Sequence, residues 1–181
     1  SYVASFNTNE SAFGSFGDYK ELGYLALANY SYKDKYVLDL SFRNDGSSRF
    51  ASGYRFGNFY SVGAAWNISN ENFLADNDIV DDLKLRASFG QTGNNGIGNN
   101  QYQSLFGYGG AYDNNGAVSP STFGNLIISW ETAELLDVGV DFSLFDGRLS
   151  GGVTYYEKTT DDLLQSVPLS TTTGHSSQTM N

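Results

Sequence analysis

Along the segment from Tyr36 to Arg43 the chain alternates residue by residue. Tyr36, Leu38, Leu40 and Phe42 fall on one side, and Val37, Asp39, Ser41 and Arg43 on the other. A period of two is that of a strand with one apolar and one wet face. The same pattern recurs before and after it. Leu22, Tyr24, Ala26, Ala28, Tyr30 and Tyr32 share a face opposite Leu25, Leu27, Asn29 and Ser31, and Lys33 to Lys35 form a short hairpin connection into the next strand. Phe56, Tyr60, Val62, Ala64, Trp66 and Ile68 predict a third strand, with Gly57, Ser61, Gly63 and Asn67 on its other face. After "NENFLADNDIVDD", which reads as a helical turn or two, Leu83, Leu85, Ala87 and Phe89 alternate with Lys84, Arg86 and Ser88. The stretch from Gln91 to Ser129 reads as a long Gly/Asn/Ser/Tyr-rich loop with one short strand near Tyr102 to Tyr108. Leu136, Val138, Val140, Phe142 and Leu144 then descend to an Asp146-Gly147 turn, and Leu149, Val153 and Tyr155 return from it. Beyond Pro168 the sequence is polar.

The connections are asymmetric. Short ones (Lys33 to Lys35, Ser69 to Asp82, Asp146 to Gly147) fall at one end of the strands; long ones (about 7–20, 44–55, 92–126 and 159–175) fall at the other. The fold class is therefore all-β, an antiparallel up-and-down meander. Short turns on one side and long loops on the other, with Tyr30, Tyr32, Tyr36 and Trp66 near the ends of apolar faces, is the arrangement of a transmembrane β-barrel. A soluble β-sandwich uses the same alternation, so the pattern leaves both architectures open.

Composition narrows the picture in three places. Gly (21), Tyr (13) and Phe (13) are abundant and Pro (2) is scarce, which fits strands and turns rather than helices. Ten basic against twenty acidic residues give a net charge of -10, which opposes a nucleic-acid partner. There is no cysteine, hence neither a disulfide framework nor a thiolate metal site. No run of about eighteen apolar residues is present and Ser1 opens no signal-peptide pattern, but a barrel strand leaves only a weak hydropathy signal.

Candidate chemistry is sparse. His175 is the sole histidine, too few for a His-based triad or a multi-histidine metal centre. "DNDIVDD" (Asp76 to Asp82) lacks the glycine and terminal glutamate of an EF-hand loop and reads as helix capping and a solvated turn. Asp161-Asp162 and Glu131 with Glu134 have no sequence mark of the split pKa values that acid/base pairs need. "TGNNGIGN" has spaced glycines but no lysine and no following helix, so it is not a phosphate cradle. The chain is therefore expected not to be an enzyme and to carry no cofactor or metal. The candidate binding residues are the loop aromatics Tyr102, Phe106, Tyr108 and Tyr112, whose flat faces beside Asn and Gln suit sugar rings or peptide side chains. Asp39, Arg43, Lys84, Arg86, Asp137 and Asp141 on the wet faces are expected to pair with one another or with a plug.

Longer stretches carry a resemblance. "NYSYKDKYVLDLSFRNDGSSRF" (Asn29 to Phe50), "FYSVGAAWNISNENFL" (Phe59 to Leu74), "LKLRASFGQTGNNGIGNNQY" (Leu83 to Tyr102), "WET" (Trp130 to Thr132), "FDGRLSGGVTYYEKTTDDLL" (Phe145 to Leu164) and "PLSTTTG" (Pro168 to Gly174) resemble, in order and spacing, the C-terminal barrel region of SusC/RagA-type TonB-dependent transporters of the Bacteroidetes outer membrane. The resemblance implies a barrel of about 22 strands with an N-terminal plug. It further implies nutrient uptake of oligosaccharides or peptides driven through the TonB complex, and a SusD-like surface lipoprotein as partner. No plug domain or TonB box is recognisable, and about six or seven strands could not close such a barrel, so residues 1–181 are expected to be a portion of its wall, embedded in outer-membrane lipid. The alternatives carried forward are a small outer-membrane barrel acting as adhesin or scaffold, and a soluble glycan-binding β-sandwich.

Overall fold

The computed structural model describes residues 17–74, 77–112 and 115–181, the side chains of 108–117 excepted. Among the described residues ten strands follow in chain order: β1 (Glu21–Tyr32), β2 (Tyr36–Ser47), β3 (Phe56–Asn67), β4 (Val80–Asn94), β5 (Leu105–Tyr112), β6 (Asn115–Thr122), β7 (Glu131–Leu144), β8 (Leu149–Asp161), β9 (Gln165–Pro168) and β10 (Ser177–Met180). Six of them form one antiparallel sheet in the order β1-β2-β3-β4-β7-β8. The pairs β5-β6 and β9-β10 are separate hairpins. The sheet is a meander interrupted once, where β5-β6 projects between β4 and β7.

The register carries the alternation across the whole sheet. Tyr30 stands opposite Leu38, Leu38 opposite Ala64, Ala64 opposite Ala87, Ala87 opposite Val138, and Val138 opposite Tyr155. One residue along, Asn29, Asp39, Gly63, Ser88, Asp137 and Tyr156 form the matching row on the other face. Because antiparallel partners point to the same side, six independently alternating segments become one apolar face and one wet face.

Neither face has a second layer of structure against it among the described residues. Leu27 and Val153 are each 71% exposed, and Tyr30, Leu40 and Tyr155 also stand open. Among the described residues the buried side chains are Phe50, Phe59, Ile97, Ile128 and Ser47, none of them in the middle of the sheet. A soluble sandwich covers its apolar sheet face with another sheet, and here nothing covers it. Nor, among the described residues, does the sheet close on itself: β1 and β8 are its two edges and do not pair. The sandwich and the small closed barrel considered from sequence both lack this architecture.

At one end the strands turn tightly. Lys33 and Asp34 take left-handed backbone (φ 52° and 55°), as a type I′-like reversal requires. Phe145, Asp146 and Gly147 do the same between β7 and β8 (φ 58°, 55° and 76°). The linker between β3 and β4 is pinned by Glu71. Lys35 Nζ donates to its Oε2 at 2.9 Å, while the Tyr36 hydroxyl at 2.7 Å and Trp66 Nε1 at 3.2 Å donate to its Oε1. The Lys35 and then the Tyr36 hydrogen bond hold the Glu71 carboxyl down at about 2.

Several boundaries differ from the sequence reading. The helical turn or two expected in "NENFLADNDIVDD" is absent among the described residues; a 3-10 turn, Ile68–Asn70, comes at its start and takes Ile68 out of the strand. Asn77 Oδ1 accepts from the backbone N of Ile79 and Val80, favouring a turn over helix, and β4 starts at Val80 with a bulge that leaves Asp81 unpaired in the ladder. Asp81 and Asp82 serve as turn caps: Gly147 N donates to Asp81 Oδ2 and Ser69 Oγ to Asp82 Oδ1. The long 92–126 segment holds a hairpin, β5-β6, where the sequence predicts one short strand; β9 lies in the expected 159–175 loop and β10 in the polar tail beyond Pro168. The expected loop from residue 7 begins outside the described residues.

Candidate functional site

The wet face carries interleaved charge and hydroxyl groups. Arg86 reaches across three strands: its Nη1 donates to Asp137 at 2.8 Å, its Nε to Asp141 at 3.1 Å and its Nη2 to Thr154 Oγ1 at 2.6 Å. This contact is possible because Gly139, directly opposite Arg86, has no side chain to fill the space that the guanidinium occupies. Asn29 donates to Asp39, and the Ser41 and Ser61 hydroxyls bond at 2.6 Å. Arg43 pairs with Asp45 at 2.9 Å, not with the residues foreseen for it. Lys84 faces Asp141 in the ladder, and Lys158 faces Leu135. The expected pairing among wet-face charges is thus present for Arg86, Asp137 and Asp141. Their attractive interactions tie neighbouring strands to one another.

At the long-loop end, three connections converge on a small core. Phe50 from the β2–β3 loop, Ile97 after β4 and Ile128 before β7 are buried together, with Tyr102, Trp130 and Leu164 against them. Trp130 Nε1 donates to Arg55 O at 2.9 Å and Arg55 Nε to Phe50 O at 3.2 Å. Arg49 donates to Asn95 O and Asn99 Oδ1 and lies 3.9 Å over the Tyr19 ring. This core sits where the sheet splits. The β3–β4 ladder runs only from Asn67↔Lys84 to Ser61↔Gly90, although both strands continue past it. Phe59 fills the gap, 6% exposed and edge-on to Trp130 at 5.5 Å. A cleft of about 270 Å³ beside it is lined by Glu21, Arg43, Asp45, Asn95 and Trp130.

The aromatics singled out from sequence are not drawn into one described cluster. Tyr102 packs on the Phe50 core. Phe106 lies on β5 and is 69% exposed. Tyr108 and Tyr112 belong to the same strand, but their side chains fall outside the described residues. Sequence reading missed Phe50, Ile97 and Ile128, because single apolar residues among Gly, Asn and Ser have no period to mark them. Among the described residues no group of three or more His, Asp or Glu is placed to hold a metal ion.

A one-layer antiparallel sheet with a polar inner-type face, an uncovered apolar face and loops massed at one end is a section of β-barrel wall. The family described as "TonB dependent receptor-like, beta-barrel" matches over residues 1–181. The chain is 42% identical over 151 residues to TonB-dependent receptor P39 of Formosa agariphila, covering 83% of this chain and 14% of that protein. It is 36% identical over 168 residues to TonB-dependent receptor SusC of Bacteroides thetaiotaomicron, covering 87% of this chain and 16% of that one. The solved RagAB peptide importer in its closed-closed state superposes with a TM-score of 0.83 at 37% identity, over 90% of this chain and 18% of that chain. The chain belongs to the TonB-dependent receptor β-barrel family and is a barrel segment of the SusC/RagA type, as its resemblance to Bacteroidetes transporters implied. It spans less than a fifth of the length of these relatives, which are named as receptors and importers, not enzymes.

Proposed function

We propose that this segment forms part of the wall of an outer-membrane importer that takes up oligosaccharides or peptides with TonB-derived energy. The observation that carries the reading is the unbroken apolar row from Tyr30 to Tyr155, uncovered on one side of a single sheet whose other side is polar. Strands of 12 to 15 residues in the sheet exceed the roughly 9–11 needed to cross a bilayer. The apolar face meets lipid, and the Arg86 network faces the water-filled lumen, where it contacts a plug. Tyr30, Tyr32, Tyr36 and Trp66 mark the periplasmic interface, and the long-loop end is extracellular.

On this reading the extracellular loops capture substrate under a SusD-like lipoprotein. Phe106, with Tyr108 and Tyr112 on the projecting β5-β6 hairpin, supplies stacking surface, and Tyr102 supports it from the rim core. The lumen lane then passes the solute when the plug yields to TonB. The test is uptake in the bacterium that encodes the protein. Deleting its gene, or removing TonB function, is expected to abolish uptake of the cognate oligosaccharide or peptide; undiminished uptake in either strain contradicts the reading.

A further inference from the structure

We propose that the cleft between the end of β6 and the β9–β10 hairpin binds a neutral sugar ring, with Phe123 as its stacking platform. The cleft is about 410 Å³, within the range of small-molecule sites. Phe123 is 42% exposed, and the His175 ring lies 5.0 Å from it at 51°, forming a corner between two flat surfaces. Thr122, Ser166, Ser176, Ser177 and Gln178 bring hydroxyl and amide groups to the rim.

Charge decides the ligand class. The chain has thirty charged side chains in 181 residues, yet no Asp, Glu, Lys or Arg lines this cleft. A phosphate or a uronic acid would meet no Lys or Arg there, and a peptide ammonium no carboxylate. A pyranose instead offers an apolar C–H face to an aromatic ring and neutral hydroxyls to amide and hydroxyl neighbours. The His175 imidazole nitrogens have no hydrogen-bond partner among the described residues, whereas its backbone N donates to Thr173 Oγ1 at 3.3 Å. They are therefore free to accept from, or donate to, a sugar hydroxyl.

The cleft is also preformed. Gln178 Nε2 donates to Gly124 O at 2.9 Å and Asn125 Nδ2 to Thr179 O at 3.2 Å. Asn181 bonds both backbone groups of Ser129, accepting from N at 2.8 Å and donating to O at 3.1 Å. These contacts fix β10 on the limb that carries Phe123, so little ordering remains to be done when a ligand enters.

A sugar site here narrows the substrate class of the importer proposed above and rests on that reading for its setting. The experiment uses the purified full-length protein in detergent and isothermal titration with neutral gluco-, manno- and xylo-hexasaccharides and a hexapeptide. At least one sugar is expected to bind saturably. Phe123→Ala should weaken that binding about tenfold, Phe123→Trp should preserve it, and raising salt from about 0.1 to 1 M should leave it unchanged. Binding of no sugar, or equal binding by Phe123→Ala, overturns the inference. If TonB-dependent peptide uptake persists without sugar binding, only this inference falls; if sugar binds but uptake is independent of TonB, only the importer reading falls.

Discussion

The ring of Phe59 occupies the space that a side chain at position 93 would need, so Gly93 and Phe59 form one packing unit across the split between β3 and β4. Gly93→Ala is expected to overpack this seam and to cost about 1–3 kcal/mol. Phe59→Leu added to it should recover part of the loss. Guanidinium unfolding of the full-length protein in detergent reads both; an unchanged midpoint for Gly93→Ala contradicts the packing described.

Glu71 provides a pH-dependent prediction at the other end of the sheet. Its carboxyl is held at about 2 against an ordinary 4.5, first by Lys35 and then by Tyr36. A depressed pKa stabilises the folded form fully above the ordinary value and loses that contribution as pH falls toward the depressed one. Pepsin cleavage within residues 68–79 should therefore accelerate as pH drops from about 4.5 to 2, after correction for the enzyme's own pH profile. Glu71→Gln should be cleaved readily throughout that window, with little pH dependence.

Arg86 joins β4, β7 and β8 through Asp137, Asp141 and Thr154. These side chains are partly exposed, at 37%, 23% and 44% for Arg86, Asp137 and Asp141, so screening limits their worth. Arg86→Met is expected to cost about 1 kcal/mol, and Asp137→Asn should cost less in the Arg86→Met background than alone. Additive losses in this double-mutant cycle would show that the guanidinium contributes no coupling.

Two neighbouring lysine substitutions separate the faces of β2. Leu40→Lys on the apolar face should cost about 2–4 kcal/mol for folding into lipid if it is near the bilayer midplane, whereas Ser41→Lys should cost at most about 1 kcal/mol. Equal penalties would remove the assignment of faces.

How much of this was legible in the sequence follows from periodicity. Leu38, Leu40 and Phe42 reveal their face because apolar residues at spacing two line one side of a strand and fit no helical stripe. The Asp146-Gly147 turn was equally plain, since its backbone needs residues that tolerate positive φ. Arg86 could be placed on the wet face, but its choice of Asp137 and Asp141 over other carboxylates depends on inter-strand register, which no single strand encodes. The rim core was not legible, because Phe50, Ile97 and Ile128 come from separate loops and meet only in the fold. The β9–β10 hairpin escaped for a related reason: its four-residue strands are largely polar and are held by Asn125, Gln178 and Asn181 rather than by an apolar face.

The central claim, that this sheet is a lipid-facing barrel wall, is tested most directly by spin labels placed singly from Leu38 to Arg43 in the full-length protein reconstituted in lipid vesicles. Collision with oxygen, which concentrates in the bilayer, should be high at Leu38, Leu40 and Phe42 and low at Asp39, Ser41 and Arg43, with a water-soluble nickel chelate giving the inverse pattern. Uniform accessibility, or alternation of the opposite phase, would contradict the account.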